Sequence, residues 1–348
     1  MIRVQRSLTA GLTGPRAAPK TAVLQALQWA VELEHATIAP YLYGLYSLDR
    51  SKNTMIAAII ESVVVEEMLH MTLASNVLNA LGGSPVIDKP DFIPTYPGPL
   101  PGCVQSGLTV HLAPFSMEQL ETFLQIEEPQ RPLDFKTAAA VDDEMTIGEF
   151  YTAISQAIGA LGDGAFVAPP SNQVGPDLMG GSVVVTDVAS AQQAIQIIID
   201  QGEGTATSPL EVEGQGYAHY YRFMQIKKGH MLVPIPNGGP NPEDKYTYAG
   251  APVVLDKSGV YAVATDPGPY APGTVHAFAN DNFNYTYTNL LRVLHALFNG
   301  EANQAQFNTA IGLMMSLKGQ AKAMMAGIPD PGALTGPTFQ YQPVNPSV

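Results

Sequence analysis

A single cysteine, Cys103, is all the thiol chemistry this 348-residue chain possesses. One cysteine forms no intramolecular disulfide and no CxxC zinc or haem-attachment pattern. Its setting, PLPGCVQSG, offers no activating base, so Cys103 reads as a structural thiol. Charge is also scarce, with Asp, Glu, Lys and Arg together at 14%, against roughly 25% in an average soluble chain. Basic residues are the scarcer kind, 17 against 31 acidic, for a net charge of −14. A surface of that sign is repelled by a nucleic-acid backbone and by an anionic bilayer, so neither is an expected partner. No run reaches the ~18 uncharged apolar residues that a membrane span requires. The N-terminal MIRVQRSLTAGLTGPRAAPK is basic but lacks the continuous apolar stretch of a secretory signal. Internal repeats and low-complexity blocks are missing as well. These absences lead to an expectation of a soluble, cytoplasmic protein that acts on small molecules.

What is present is apolar and well punctuated: 46% hydrophobic residues, 32 Gly and 29 Pro. That composition supports a large core with long, ordered connections. Helical spacing is clear from Thr21 to Leu48, where Leu24, Leu27, Val31, Ile38 and Leu45 share a face. Pro40 lies inside this run and has no N–H for the Ala36 carbonyl, so a kink is expected there. A second run, Thr54 to Leu81, is striped by Ile56, Ile60, Val63, Ala74 and Val77 and stopped by Gly82-Gly83. The short link between the two predicts antiparallel packing. Residues 84–114 read as irregular structure, and Ser116 opens a short helix to about Ile126. Further helices are predicted at Thr146–Leu161, Ala189–Glu203, Tyr217–Lys228, Thr286–Phe298 and Ala302–Met325. Between them, 229–283 is a Pro/Gly-rich excursion with β-like runs at 251–255 and 260–264, and the tail from Ile328 should wrap the surface. The expectation is one mostly α domain over 1–348, a helical bundle with long irregular and β-containing excursions. Its 13 methionines read as core filler.

The informative positions are those where acids and imidazoles interrupt the apolar stripes. Extending Ile56, Ile60 and Val63 by helical steps lands on Glu67, His70 and Ala74, so Glu67 and His70 face the core. A carboxylate and an imidazole at i and i+3 reach one cation together. On the first helix, Val31 plus three and Ile38 minus four both give Glu34. The neighbouring Glu66 belongs to the polar exterior on this reading. Burying unpaired carboxylates is costly, and a multivalent cation reverses that cost. Carboxylate and imidazole without thiolate suit iron or manganese. Lone glutamates on two helices and Glu-x-x-His on two others hold a di-iron pair in a bundle. Here the first half of the sequence matches that template better than the second. Ile195 and Ile199 lead to Glu203, and His219 shares a face with Phe223 and Ile226, but Gly216 stands where the template wants Glu. Glu203 would partner His219, or Glu211 or Glu213 would reach in from the loop, or a second metal would be weakly held or absent. Against all this stands the ordinary fate of a Glu-x-x-His pair, a solvated helix face. His35, His111, His230, His276 and His295 read as ordinary histidines, and Tyr41, Tyr43 and Tyr46 as packing.

Several segments resemble the ferritin-like domain of the iminophenyl-pyruvate dimer synthase family: LEHATIAPYL (33–42), VEEMLHM (65–71), NALGGSP (79–85), QGEG (201–204), HYYRF (219–223) and the LLRVL…FNG run (290–300). Nearly the whole chain takes part. That family includes the chromopyrrolate-forming enzymes, which oxidatively couple two imines of aromatic 2-oxo acids. The resemblance implies a ferritin-like four-helix bundle with metal at Glu34, Glu67, His70, Glu203 and His219. The functional expectation is a non-haem iron or manganese oxidoreductase, with a di-iron or a mononuclear centre. It would use O2 or peroxide on a small organic substrate such as an amino-acid-derived imine of secondary metabolism. Two alternatives remain open: a ferroxidase or peroxide-handling protein, and a scaffold stapled by a structural metal. A homo-oligomer is compatible with each.

Overall fold

The computed structural model describes residues 4–5, 11–12, 18–101, 108–129, 144–145, 147–204, 208–210, 216–239, 244–300, 302–328, 332 and 334–342. Among these, eight α-helices carry the fold. Two 27-residue helices, α1 (Lys20–Tyr46) and α2 (Thr54–Ala80), pack along each other at its centre. Against one side of that pair lie α3 (Met117–Ile126), α4 (Ile147–Leu161), α5 (Val188–Gly202) and α6 (His219–Lys228). Against another lies a hairpin of α7 (Val275–Phe298) and α8 (Gln304–Met325). One hydrophobic cluster runs through all eight. The sheets are small and antiparallel: β1 (Val4–Gln5) with β2 (Glu144–Met145), and β3 (His230–Pro234) with β4 (Tyr246–Pro252). None of the described helices is long and apolar enough to cross a membrane.

Helix α1 remains helical through Pro40 to Tyr46. The carbonyl that Pro40 deprives of a donor, Ala36 C=O, accepts instead from the Tyr96 hydroxyl at 2.7 Å. A side chain from the irregular segment after α2 thus satisfies a buried backbone group that would otherwise destabilise the helix. Caps match their sequence signals: the Ser116 hydroxyl accepts from Gln119 N at the start of α3, and Asp187 and Ser190 form a capping box on α5.

Two expectations need correction. The strands of the excursion lie at 230–234 and 246–252, not at 251–255 and 260–264, and the excursion ends at residue 274, where α7 begins. Asn53 explains how it is held, donating to the Asp256 and Gly259 carbonyls at 3.0 Å each and accepting from Asp256 N at 2.9 Å. A Cβ at Gly259 would fall 2.6 Å from the Asn53 amide nitrogen. Among the described residues of the tail, one stretch enters the core rather than wrapping the surface. Thr335 to Phe339 are buried, and Phe339 stands edge-on to Phe283 and Tyr287 at 4.9 and 5.4 Å. Polar side chains at four-residue intervals on α7 receive its backbone: Asn280 from Thr338 N, Asn284 from Gln340 N and Thr288 from Gln342 N.

Candidate metal centre

Helical spacing brings Glu34, Thr37 and Tyr41 of α1 to one face, opposite Glu67 and His70 of α2. Glu127, the C-cap of α3, and His219, the first residue of α6, complete the cluster. Five side chains therefore meet in the core: Glu34, Glu67, His70, Glu127 and His219, none more than 8% exposed. Their ligand atoms fall into two groups, Glu34–Glu67–His70 and Glu67–Glu127–His219, each within 4.8 Å. Glu67 is common to both.

Each carboxylate is held at one oxygen by a hydroxyl donor. Thr37 donates to Glu67 Oε2 at 3.0 Å, Tyr41 to Glu127 Oε1 at 2.5 Å, and Tyr151 of α4 to Glu34 Oε1. The other oxygens turn to the imidazoles. Glu34 Oε2 lies 3.3 Å from His70 Nδ1, and Glu67 Oε1 and Glu127 Oε2 lie 2.9 and 3.4 Å from His219 Nδ1. Both histidines are anchored through the opposite nitrogen, His70 Nε2 to Gln201 Oε1 at 2.9 Å and His219 Nε2 to Glu66 Oε2 at 3.0 Å. Glu66 in turn pairs with Arg222 at 2.8 Å. Inward Nδ1 with an anchored Nε2 is the outer-shell arrangement that orients metal-binding imidazoles. The two rings stack at 5.3 Å.

The electrostatics follow from so many ionisable groups sharing a buried site. Burial, reinforced by the charge of Glu127, pushes the Glu67 carboxyl up to about 7. Burial works against ionisation of Glu34 too, but hydrogen bonding and attraction to His70, with the Tyr151 hydroxyl, hold it below the usual range. Burial would lower both imidazoles, yet Glu34 raises His70, and Glu127 and Glu66 raise His219 well above its ordinary value. Tyr41 and Tyr151 are driven well up by burial and by the adjacent carboxylates. Without a cation, protons must do the neutralising. His219 Nδ1, despite its close oxygens, is a buried polar atom with no hydrogen bond of acceptable geometry. Three carboxylates, two imidazoles and no thiolate fit iron or manganese.

Four of the five ligands expected from sequence, Glu34, Glu67, His70 and His219, come together; Glu203 does not join them. It is the C-cap of α5, and its Oε1 accepts from Gly148 N at 2.8 Å in the first turn of α4. There a carboxylate satisfies an orphan N–H and the positive end of the helix dipole. A Cβ at Gly148 would lie 2.6 Å from the Glu203 carboxylate. Glu127 stands in the cluster instead, and a signal for it existed: Leu120, Phe123 and Leu124 form the buried stripe of α3, which continues onto Glu127. A carboxylate from another helix thus lies beside His219, where Gly216 leaves the template without its glutamate. Glu211, Glu213 and Cys103 lie outside the described residues. Glu66, assigned to the exterior from sequence, is an inward-reaching partner of His219.

A ferritin-like family model matches residues 27–228, more than half of the chain, and that span carries all five cluster residues. The chain belongs to the ferritin-like family. Among curated proteins this ferritin-like chain is 27% identical over 270 residues to the 2-imino-3-(indol-3-yl)propanoate dimerase of Chromobacterium violaceum. The match covers 64% of the present chain but only 25% of the dimerase, so the chain spans about a quarter of that relative's length. A crystal structure of a ferritin-like protein from Caulobacter vibrioides superposes with a TM-score of 0.63 at 25% identity, covering 92% of this chain and 97% of the other.

Proposed function

We propose that the cluster is a dinuclear non-haem metal centre, iron or manganese, of an oxidoreductase that uses O2 or peroxide on a small organic substrate. The observation that carries the reading is Glu67, shared between two ligand groups as a carboxylate bridging two cations would be. Glu34 and His70 would hold one ion, and Glu127 and His219 the other. Redox-active ions held there would pass electrons from the substrate to O2 or peroxide. The chain's own part is to fix the ligands. Thr37, Tyr41 and Tyr151 each point a hydroxyl at a ligand oxygen, so one oxygen of every carboxylate is held and the other is left for an ion. The similarity to an imine dimerase favours an imine derived from an amino acid, in secondary metabolism, as the substrate class.

A cavity of about 30 Å3 borders Glu127, between Ile126, Ile147, Gly148, Ile198 and Glu203. It is sized for a single water-like molecule, and its isoleucines suit an apolar diatomic oxidant. That size favours, as a second reading, a centre that oxidises Fe(II) or removes peroxide without an organic substrate.

Elemental analysis of protein purified without added metal, beside a Glu67→Ala, His70→Ala variant, tests the centre. About two metal ions per chain, lost in the variant, are expected. Oxygen uptake that depends on an added aromatic imine supports the oxidoreductase, and uptake with Fe(II) alone supports the second reading. No metal in either protein, even after anaerobic iron loading, refutes both.

A further inference from the structure

Helices α1 and α2 carry a second face, turned away from the carboxylates. One position on from the cluster residues of α1, His35, Ile38 and Leu42 line a cavity of about 450 Å3 beneath the α7–α8 hairpin. Native cores seldom leave apolar voids larger than a water molecule, and this volume is that of a small-molecule site between helices. Its wall is adaptable: Met68, Met71, Met179, Met314 and Met315 all border it. Flexible thioethers accommodate guests of varied shape, so these methionines, most of which also pack on the core, form an adaptable lining.

The two ends of the cavity differ. From His35 to Tyr46 its floor extends roughly 16 Å along α1 at helical rise. At the His35 end no charged side chain lines the cavity, and the buried His35 imidazole shares a 2.7 Å hydrogen bond with the Tyr287 hydroxyl. At the Tyr46 end stand Glu61 and Lys318, with side chains 35% and 28% exposed. Glu61 accepts from Lys318 Nζ at 2.6 Å and from Arg50 Nη1 at 3.0 Å, so two cations share one carboxylate. Lys322 and Asp49 also act on this group. Three cations against two carboxylates leave the mouth positive, in a chain whose net charge is −14.

We propose that this cavity binds an anionic amphiphile, with its alkyl chain lying along α1 under the hairpin and its carboxylate at the mouth against Lys318. The inner end offers a charged head no charged partner and the cationic mouth receives it, which fixes the orientation. The site is independent of the metal centre, from which it is separated by α1 and α2 themselves.

Calorimetric titration of the whole chain with decanoate tests this, with decyltrimethylammonium and decanol as probes of the head group. One decanoate per chain is expected, with binding weakened about tenfold or more by Met314→Trp, which fills the cavity. Val65→Trp, at a half-exposed rim position, repeats the block where folding is not at stake. Lys318→Gln should weaken decanoate several-fold and leave decanol unchanged. No heat with decanoate at millimolar concentration overturns the site, as does binding that survives both tryptophans. Equal binding of the cationic probe overturns the head-group assignment. A dimer in sedimentation that Val65→Trp dissociates, with no decanoate bound, assigns the face to a second copy of the chain instead.

Discussion

In the metal-free protein, stability should fall as pH rises from 6.5 to 8, because the buried cluster keeps protons that the unfolded chain releases. Glu67 dominates the lower part of that range. Its carboxyl titrates at about 7 when folded, against 4.5 for the ordinary group. Between those values the native state keeps a proton that the unfolded chain releases, so folding weakens with each step upward in pH. The 2.5-unit difference corresponds to about 3 kcal/mol lost by the time Glu67 is ionised. His70 and His219 continue the trend. Both are raised above 6.5, so their stabilisation is complete below that value and disappears as pH climbs through their folded values. Glu34 and Glu66, both lowered, make a contribution that is lost only below 4.5 and leave this window alone. His35, pushed down to about 3 by burial, works in the opposite direction below 6.5, where only the unfolded chain takes up its proton, so below that pH the Glu67 loss appears as the difference from Glu67→Gln. For a chain of this size, 3 kcal/mol is about 4 °C in melting temperature. Scanning calorimetry of chelator-treated protein should show that decline, and Glu67→Gln, which cannot ionise, should show a shallower one. With Mn(II) or anaerobic Fe(II) present, the gain in melting temperature should grow with pH, since each ion displaces protons from its ligands. A metal-free melting temperature that is flat or rising across this range refutes the reasoning. So does an unchanged slope in Glu67→Gln.

Glu127→Ala should reduce the metal content from about two ions toward one, whereas Glu203→Gln should leave elemental analysis unchanged and lower stability by about 1 kcal/mol through its weakened contact with the first turn of α4. Equal metal loss in both would return Glu203 to the centre. Tyr96→Phe should cost about 1–3 kcal/mol in denaturant unfolding, because it leaves the Ala36 carbonyl buried without a donor; an unchanged midpoint would show that another group takes its place.

The helical hairpin and the three ligands it carries were legible because α1 and α2 keep strict periodicity over seven turns. In such a run, a polar residue on the apolar stripe must face the core, and Glu34, Glu67 and His70 do. Periodicity was a poorer guide at helix ends. Glu127 and Glu203 are both C-cap residues on extrapolated stripes, yet one enters the cluster and the other turns to Gly148 N. What separates them is the neighbouring element, which spacing along one helix does not encode. The start of α7 read as part of the Pro/Gly-rich excursion that precedes it; its Asn280 and Asn284 amides are satisfied by a tail segment more than fifty positions away. In β4, the Gly and Pro of YTYAGAP masked the strand, which pairs with the equally short β3.

The division of ligands among elements sets an order of assembly. Glu34, Glu67 and His70 come from one helical hairpin, whose contacts are near in sequence and close early in folding. Glu127 and His219 arrive only when α3 and α6, far along the chain, dock against it. An unfinished chain therefore carries three of the five cluster side chains together. In the dinuclear centre proposed above, the second ion position would form only with the last docking event, which would keep oxidising chemistry away from polypeptide that is still exposed.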